Sequence, residues 1–376
     1  ADLANVLRNL PASALDQIEI MTNPSAKYDA AGNSGVINIK TKKNKQFGYN
    51  GSITAGYTQG IYARFNESLS FNYRNNKINF FSNISHNRHH KAEKLYILRN
   101  FREATTKDIK SIFDQETSME NQSHYYYAKA GLDYSVSKKT TVGIVLNGYY
   151  NPSTWESVTN TSIYNPDQIL TNKTKAVTRN DEKWKNFSGN FNFRTVLDSA
   201  GQELTADFDY IQYRSSSEQP LTSYYFDNMN NQIREPELLF GTLPSNIHIY
   251  SGKIDYALPL KHGAKFEAGL KSSFVKTDNN ARYDSLKTGY SVLDSGRSNH
   301  FMYDENINAA YVNYSRPLGK KWSAQLGLRL ENTNANGNSA GYTFNSQENR
   351  FKSTNTKFSR NYTQLFPTAY IQYTAN

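Results

Sequence analysis

The sequence predicts an all-β protein built from long antiparallel strands. Polar and apolar residues alternate with a period of two from about residue 47 onward, as expected where successive side chains point to opposite faces of a strand. Short turns alternate regularly with long polar stretches along the same region. No sustained apolar stripe with a period of 3.6 residues accompanies them, so we expect almost no helix beyond one turn near residues 12–15.

The composition excludes several protein classes. The 376 residues include no cysteine, which rules out a disulfide scaffold, a thiol nucleophile and a cysteine metal site. The mean hydropathy of −0.74 and the short apolar runs exclude spanning helices, which need about 20 apolar residues each. With 28 Tyr and 20 Phe, the chain is too aromatic for a disordered protein. The net charge of +10 is spread diffusely, so it is weak evidence for a polyanionic partner.

The alternation is clearest in two segments. Residues 187–197 place Phe and Leu on one face and Ser, Asn and Arg on the other, and residues 322–331 place Trp, Ala and Leu opposite Ser, Gln, Gly, Arg and Glu. Similar patterns predict twelve strands, each at least as long as the 9 to 11 residues that a tilted membrane-spanning strand requires. The predicted strands are 47–58, 62–74, 77–90, 121–137, 140–151, 184–197, 203–214, 247–258, 264–277, 303–316, 321–333 and 359–374.

The connections predict a transmembrane barrel. Short turns are expected near residues 75–76, 137–139, 198–202, 259–263 and 317–320, whereas long polar loops are expected at 91–120, 152–183, 215–246, 278–302 and 334–358. Tight turns at one rim and long loops at the other are typical of outer-membrane barrels, whose short turns are periplasmic. Aromatic residues near the predicted strand ends, such as Tyr149, Tyr150 and Trp322, fit the girdles of such barrels. A soluble sandwich could also contain the tyrosines, but it rarely needs loops of this length.

The first forty residues differ from the rest. They contain two short apolar segments, 18–21 and 36–41, which we predict to be strands, and Gly32 and Gly35 permit a tight turn between them. The segment from Asn23 through Pro24 to Tyr28, followed by Gly-Val-Ile-Asn-Ile with Asn38, resembles the end of the plug domain in TonB-dependent outer-membrane receptors. The sequence of residues 29–35 resembles that of the receptor group whose plug follows a carboxypeptidase-regulatory-like domain.

The resemblance implies a plug inside a barrel of about 22 strands. Residues 1–43 would then be the C-terminal end of the plug, and residues 44–376 the N-terminal part of the barrel, of which about twelve strands are present. It also implies a Gram-negative outer membrane and import of a scarce nutrient, with energy from an inner-membrane TonB complex contacted through a missing N-terminal segment. We therefore expect a fragment of a longer protein, with an open arc in which the first and last strands do not pair.

The sequence gives little support for catalysis. His86, His89 and His90 form the best metal-like cluster, but only His86 and His90 share a strand face. Four carboxylates lie on faces predicted to line the lumen, and no nucleophile motif accompanies them. They are Asp207, Asp209, Glu267 and Glu331. We expect no enzyme activity, no cofactor and no bound metal.

The ligand is not specified by the sequence. Four aromatic residues in predicted loops are suited to stacking on a glycan or a peptide, and a siderophore is a further possible cargo. They are Trp155, Tyr164, Tyr224 and Tyr225. Two alternatives remain open. A passive porin or adhesin barrel would leave the plug-like N-terminal segment unexplained. A soluble basic β-protein that binds a polyanion would leave the alternation of short turns and long loops unexplained.

Overall fold

The computed structural model describes residues 15–21, 24–29, 35–41, 47–287 and 289–374. Strands β1 (Leu15–Met21) and β2 (Val36–Thr41) pair antiparallel, which confirms the two predicted N-terminal strands. Gly35 precedes β2 with a φ of 81°, a left-handed conformation that glycine adopts without strain. The predicted helical turn lies outside the described residues except for Leu15, which begins β1.

From residue 48 onward, the described strands form a single antiparallel sheet of fourteen strands. Its strands are β3 (Gly48–Gln59), β4 (Ala63–Arg74), β5 (Ile78–Arg102), β6 (Ile109–Ser135), β7 (Thr140–Tyr164), β8 (Leu170–Val196), β9 (Glu203–Asp227), β10 (Glu237–Thr242), β11 (Ser245–Pro259), β12 (Lys265–Lys287), β13 (Tyr290–Leu293), β14 (Asn299–Leu318), β15 (Trp322–Asn345) and β16 (Arg350–Tyr373).

The strand order follows the chain. β10 and β11 both lie between β9 and β12, so they form two halves of one interrupted strand, and the short β13 adds to β12. The twelve predicted strands are therefore all present, with two additional short ones. Strands β3 and β16 are the two ends of the described sheet and do not pair with each other, as predicted.

The short turns are confirmed, whereas the prediction of long polar loops was wrong. β6 and β8 are each 27 residues long, about 90 Å of strand, and β5 connects to β6 through only residues 103–108. The backbone ladder continues in register through most of the segments predicted to be loops. Outside a membrane neither face needs to be apolar, so the strands continue without the alternation on which the prediction depended.

Helical structure is almost absent, as predicted. In the described ranges it is limited to the single 3-10 turn Lys261–Gly263 between β11 and β12. Within the same ranges, no helix is both long and apolar enough to span a membrane.

The sheet has two chemically different faces. Leu326, Leu328 and Leu330 of β15 point to one face and are at least 40% exposed, whereas Arg329 and Glu331 point to the other and are buried. We call the face of the leucines the outward face and the face of Arg329 the inward face. An exposed apolar face is stable against lipid, so the outward face is the one that meets the membrane.

Candidate functional site

Residues 24–29 lie against the inward face of the sheet, and we call them the docking segment. The backbone NH of Tyr28 donates to the carbonyl of Ser25, which closes a turn. The hydroxyl of Tyr370 on β16 donates to the carbonyl of Pro24 at 3.3 Å. The segment therefore contacts the sheet through its backbone as well as through the side chains described next.

Arg329 is the centre of the contact, and it is only 1% exposed. Its guanidinium donates to Asp29 of the docking segment at 2.9 Å and to Glu331 on its own strand at 2.5 Å. Lys271 of β12 binds the other oxygen of Asp29 at 2.5 Å. A buried arginine is costly unless carboxylates pair with it. Glu331 supplies one carboxylate from the same strand, and the docking segment supplies a second through Asp29.

A second ion-pair cluster lies beside the first. The buried carboxylate of Asp255 on β11 lies 3.2 Å from the Lys27 amine and 2.8 Å from the Lys253 amine. It also accepts a hydrogen bond from the hydroxyl of the buried Tyr311. Lys27 and Asp29 thus have opposite charges in the same turn, and each pairs with a group of complementary charge on the sheet.

Small side chains permit this close approach. Ala26 is 2% exposed, and a Cβ added at Gly327 would lie 2.8 Å from the Ala26 Cβ and 2.5 Å from the Thr368 hydroxyl. Real carbon atoms do not approach so closely, so glycine at position 327 is required for the docking segment to fit.

The structure describes four of the six predicted plug-motif residues. Pro24 and Tyr28 lie in the docking segment, Gly35 precedes β2, and Asn38 on β2 donates to Glu19 on β1 at 2.7 Å. Asn23 and Gly32 lie outside the described residues.

The four predicted ligand-binding aromatic residues do not form one site. All lie on the long strands, Trp155 and Tyr164 on β7 and Tyr224 and Tyr225 on β9. The strand registers place Trp155 and Tyr225 on the inward face, and Tyr164 and Tyr224 on the outward face. Tyr225 stacks on the Arg234 guanidinium at 3.4 Å and donates to Glu237, so it already has local partners.

The histidines form two separate pairings on the outward face. His86 contacts Glu67 at 2.9 Å and His124 at 3.1 Å. His90 stacks on Tyr62 with ring centroids 3.6 Å apart and contacts Glu120 at 2.8 Å. Hydrogen bonds from His90 and then from Tyr62 hold the pKa of the Glu120 carboxyl below its usual value. His89 has interactions of its own. Among the described residues, no three His, Asp or Glu side chains converge as metal ligands would.

The predicted lumen carboxylates share the face of Arg329. Glu267 accepts from Asn313 at 3.2 Å and Glu331 binds Arg329, while Asp209 accepts from Asn190 at 2.7 Å. Asp207 pairs in register with Lys253, beside Asp255. The sequence analysis did not single out Asp29, Lys271, Asp255 or Tyr311. The sequence did show charged residues of both signs in the plug-like turn and on the polar faces of the strands. These charges alone do not indicate which residues pair.

A comparison with protein-family models agrees with the architecture. Residues 195–376, just under half of the chain, match the model of an outer membrane protein beta-barrel family. No curated protein matches the chain.

Two solved structures are similar over most of the chain. The outer membrane protease OmpT of Escherichia coli has 11% identity and a TM-score of 0.27, over 79% of this chain and 96% of that one. The siderophore receptor PirA of Pseudomonas aeruginosa has 13% identity and the same TM-score of 0.27, over 98% and 82%. At this TM-score neither likeness carries weight for fold or activity.

The family match, the antiparallel sheet and the exposed apolar outward face lead to one conclusion. The chain is an outer-membrane protein of the β-barrel class, located in the outer membrane of a Gram-negative bacterium.

Proposed function

We propose that this chain is part of a TonB-dependent receptor that imports a scarce nutrient, such as a siderophore, glycan or peptide. The observation that carries the proposal is the docking segment, held against the inward face by Arg329, Lys271 and Asp255. In this reading residues 1–43 are the end of a plug and the sheet is part of the surrounding barrel. The role is binding and transport, without catalysis and without a cofactor.

The chemistry of the contact suits a plug that must both seal and move. Ion pairs and hydrogen bonds to Asp29 and Lys27 specify one docked position while the barrel is closed. Water that enters when the segment is pulled can solvate the same groups, because hydrated charges cost far less than buried ones. A plug held by a large apolar core would lack this property.

Ligand contacts are expected on the inward face above the docking segment. Trp155 and Tyr225 point to this side and present aromatic surface for stacking. Tyr164 and Tyr224 point to the opposite face, so they would contact the ligand only from the extracellular rim.

Ion conductance of the full-length protein in planar lipid bilayers tests the proposal without a known ligand. A plugged receptor is expected to show no steady conductance, whereas Arg329→Ala should open intermittent channels because the docking segment is released. Leu330→Ala, one residue away on the outward face, is the control and should stay closed.

A second arm addresses energy coupling. The purified C-terminal domain of TonB is expected to bind the full-length receptor. Steady conductance of the unmodified protein together with no binding of this domain would overturn the proposal and establish a passive porin.

A further inference from the structure

Three cationic side chains cluster on the outward face of the sheet. Lys183 and Lys185 lie on β8, and Arg214 is the register partner of Lys185 on β9. All three are exposed. Together with Asn246 of β11 they line an open groove of about 520 Å³, at the interruption between β10 and β11.

These cations are not neutralised by neighbouring carboxylates. Within the described part of the chain, no Asp or Glu lies within ion-pair distance of Lys183, Lys185 or Arg214. The Lys185 amine lies 5.3 Å from the centroid of the Tyr150 ring. The one carboxylate that lines the groove, Asp278, contacts His300 at 2.7 Å.

An apolar groove of about 720 Å³ lies below the cations on the same face. Small residues form its floor, because Gly252 of β11 pairs with Ser272 of β12. Most of its outward lining is apolar, with Ser272, Asn308 and Asn332 as polar members. The larger apolar side chains are Phe191, Phe208, Ile254, Leu270, Ala310 and Leu330.

The spacing of the two features matches one membrane leaflet. Phe208 and Arg214 are six residues apart on β9, about 20 Å along the strand. A strand tilt of about 40° reduces this to about 15 Å along the membrane normal, which is half of the roughly 30 Å hydrocarbon core. Between them Tyr210 packs against Tyr250, with ring centroids 5.0 Å apart and tilted planes, and contacts His248 at 3.1 Å, as expected of an interfacial aromatic belt.

We propose that this face binds a phosphorylated glycolipid of the outer leaflet. Lys183, Lys185 and Arg214 bind a phosphate of its headgroup, and the apolar groove holds one of its acyl chains. Arginine and lysine together are the residues that recognise phosphate, and basic pockets at the headgroup level bind anionic lipids. The groove beneath distinguishes a membrane lipid from free phosphate. The site is on the opposite face from the docking segment, so it does not depend on the proposed transport function.

The test is native mass spectrometry of the full-length protein in detergent, titrated with lipid A as the phosphorylated probe. We expect Lys183→Gln/Lys185→Gln to bind lipid A about 30-fold more weakly, since each cation near a headgroup contributes about a factor of five. The control is Lys173→Gln/Lys175→Gln, which removes the same charge from the outward face of β8 about ten residues higher, and it should bind as the unmodified protein does.

Two further probes separate the sources of affinity. Dephosphorylated lipid A with the same acyl chains should bind far more weakly, and inorganic phosphate should not reproduce the affinity of the lipid. Equal loss in both lysine variants, equal binding of dephosphorylated lipid A, or equal affinity for inorganic phosphate would each overturn the proposal. If heat-modifiability on a gel shows that the double variant does not fold, Arg214→Gln replaces it, with an expected loss of about fivefold.

Discussion

The two faces of β15 place different chemistry on adjacent residues. Leu326, Leu328 and Leu330 are exposed on the outward face, whereas Arg329 and Glu331 are buried on the inward face against the docking segment. In a soluble sheet the buried face is normally the apolar one. Here lipid covers the apolar face, and the docking segment covers the polar face around Arg329, so the burial of Arg329 results from this contact and not from a hydrophobic core.

The comparison also separates two kinds of stabilisation. Leucines on the outward face are stabilised by contact with lipid. Lipid offers the same apolar surroundings at each of these positions. Arg329 is stabilised by Glu331 on its own strand, and by Asp29 and the carbonyl of Ala26, which are provided only when the docking segment is in place. The inward face therefore depends on particular contacts with the docking segment, whereas the outward face depends only on staying apolar, and four predictions test this difference.

Arg329→Ala should have the largest effect on the inward face. It removes the guanidinium from the buried carboxylate of Glu331 and detaches Asp29, so we expect a loss of about 3 to 5 kcal/mol in the free energy of unfolding. Urea-dependent unfolding of the full-length protein in lipid vesicles measures it. Arg350→Ala is the control, because Arg350 is an exposed partner of Glu348, and it should cost less than about 1 kcal/mol. Equal costs would remove the distinction between the faces.

Leu326→Arg tests the outward face at membrane depth. A charge there faces lipid, and we expect it to destabilise the folded protein by about 2 to 4 kcal/mol if Leu326 is near the bilayer midplane. Gln325→Arg, the adjacent inward position, should be nearly silent because its side chain faces water or plug. The readout is the yield of folded protein and its unfolding free energy in liposomes. Equal effects of the two substitutions would show that the assignment of the faces is wrong.

Gly327→Ala tests the fit of the docking segment. The new Cβ would contact Ala26 and Thr368 at distances that no relaxed structure tolerates, so we expect a cost of about 1 to 3 kcal/mol. Increased protease cleavage within residues 24–29 should accompany it. On the outward face, a Cβ at Gly252 would meet its nearest neighbour at 3.9 Å, so Gly252→Ala is the matched control and should leave both measurements unchanged.

The sequence was sufficient to predict the parts of the fold that the membrane constrains. All twelve long strands, the short turns and the two N-terminal strands were predicted because alternation and turn residues are local signals. The upper halves of β5 to β9 were assigned to loops because the regular alternation of polar and apolar residues is lost there. The register between neighbouring strands is set in their membrane-spanning halves. Once the register is fixed, the backbone hydrogen bonds continue into the upper halves without any apolar pattern.

The candidate site was less accessible to sequence reasoning. Glu331 was assigned to the wet face, and the turn around Tyr28 was recognised as a motif, but nothing local joins Asp29 to a residue 300 positions later. Pairing across such a separation depends on how the strands tilt and stack. The same holds for the lysines of β8 and Arg214, whose adjacency follows from the register between β8 and β9.

Asn336→Arg gives the smallest expected effect and tests where the difference between the faces ends. Asn336 shares the outward face of β15 with Leu326, but it lies ten residues further along the strand, opposite Asp304 and Ser359. At about 3.3 Å per residue it is far beyond the apolar band, which is about 25 Å tall. The new charge is therefore hydrated, and we expect a change of no more than about 1 kcal/mol in the same unfolding assay. A cost as large as that of Leu326→Arg would mean that lipid reaches this height, and that the long strand extensions are not extracellular.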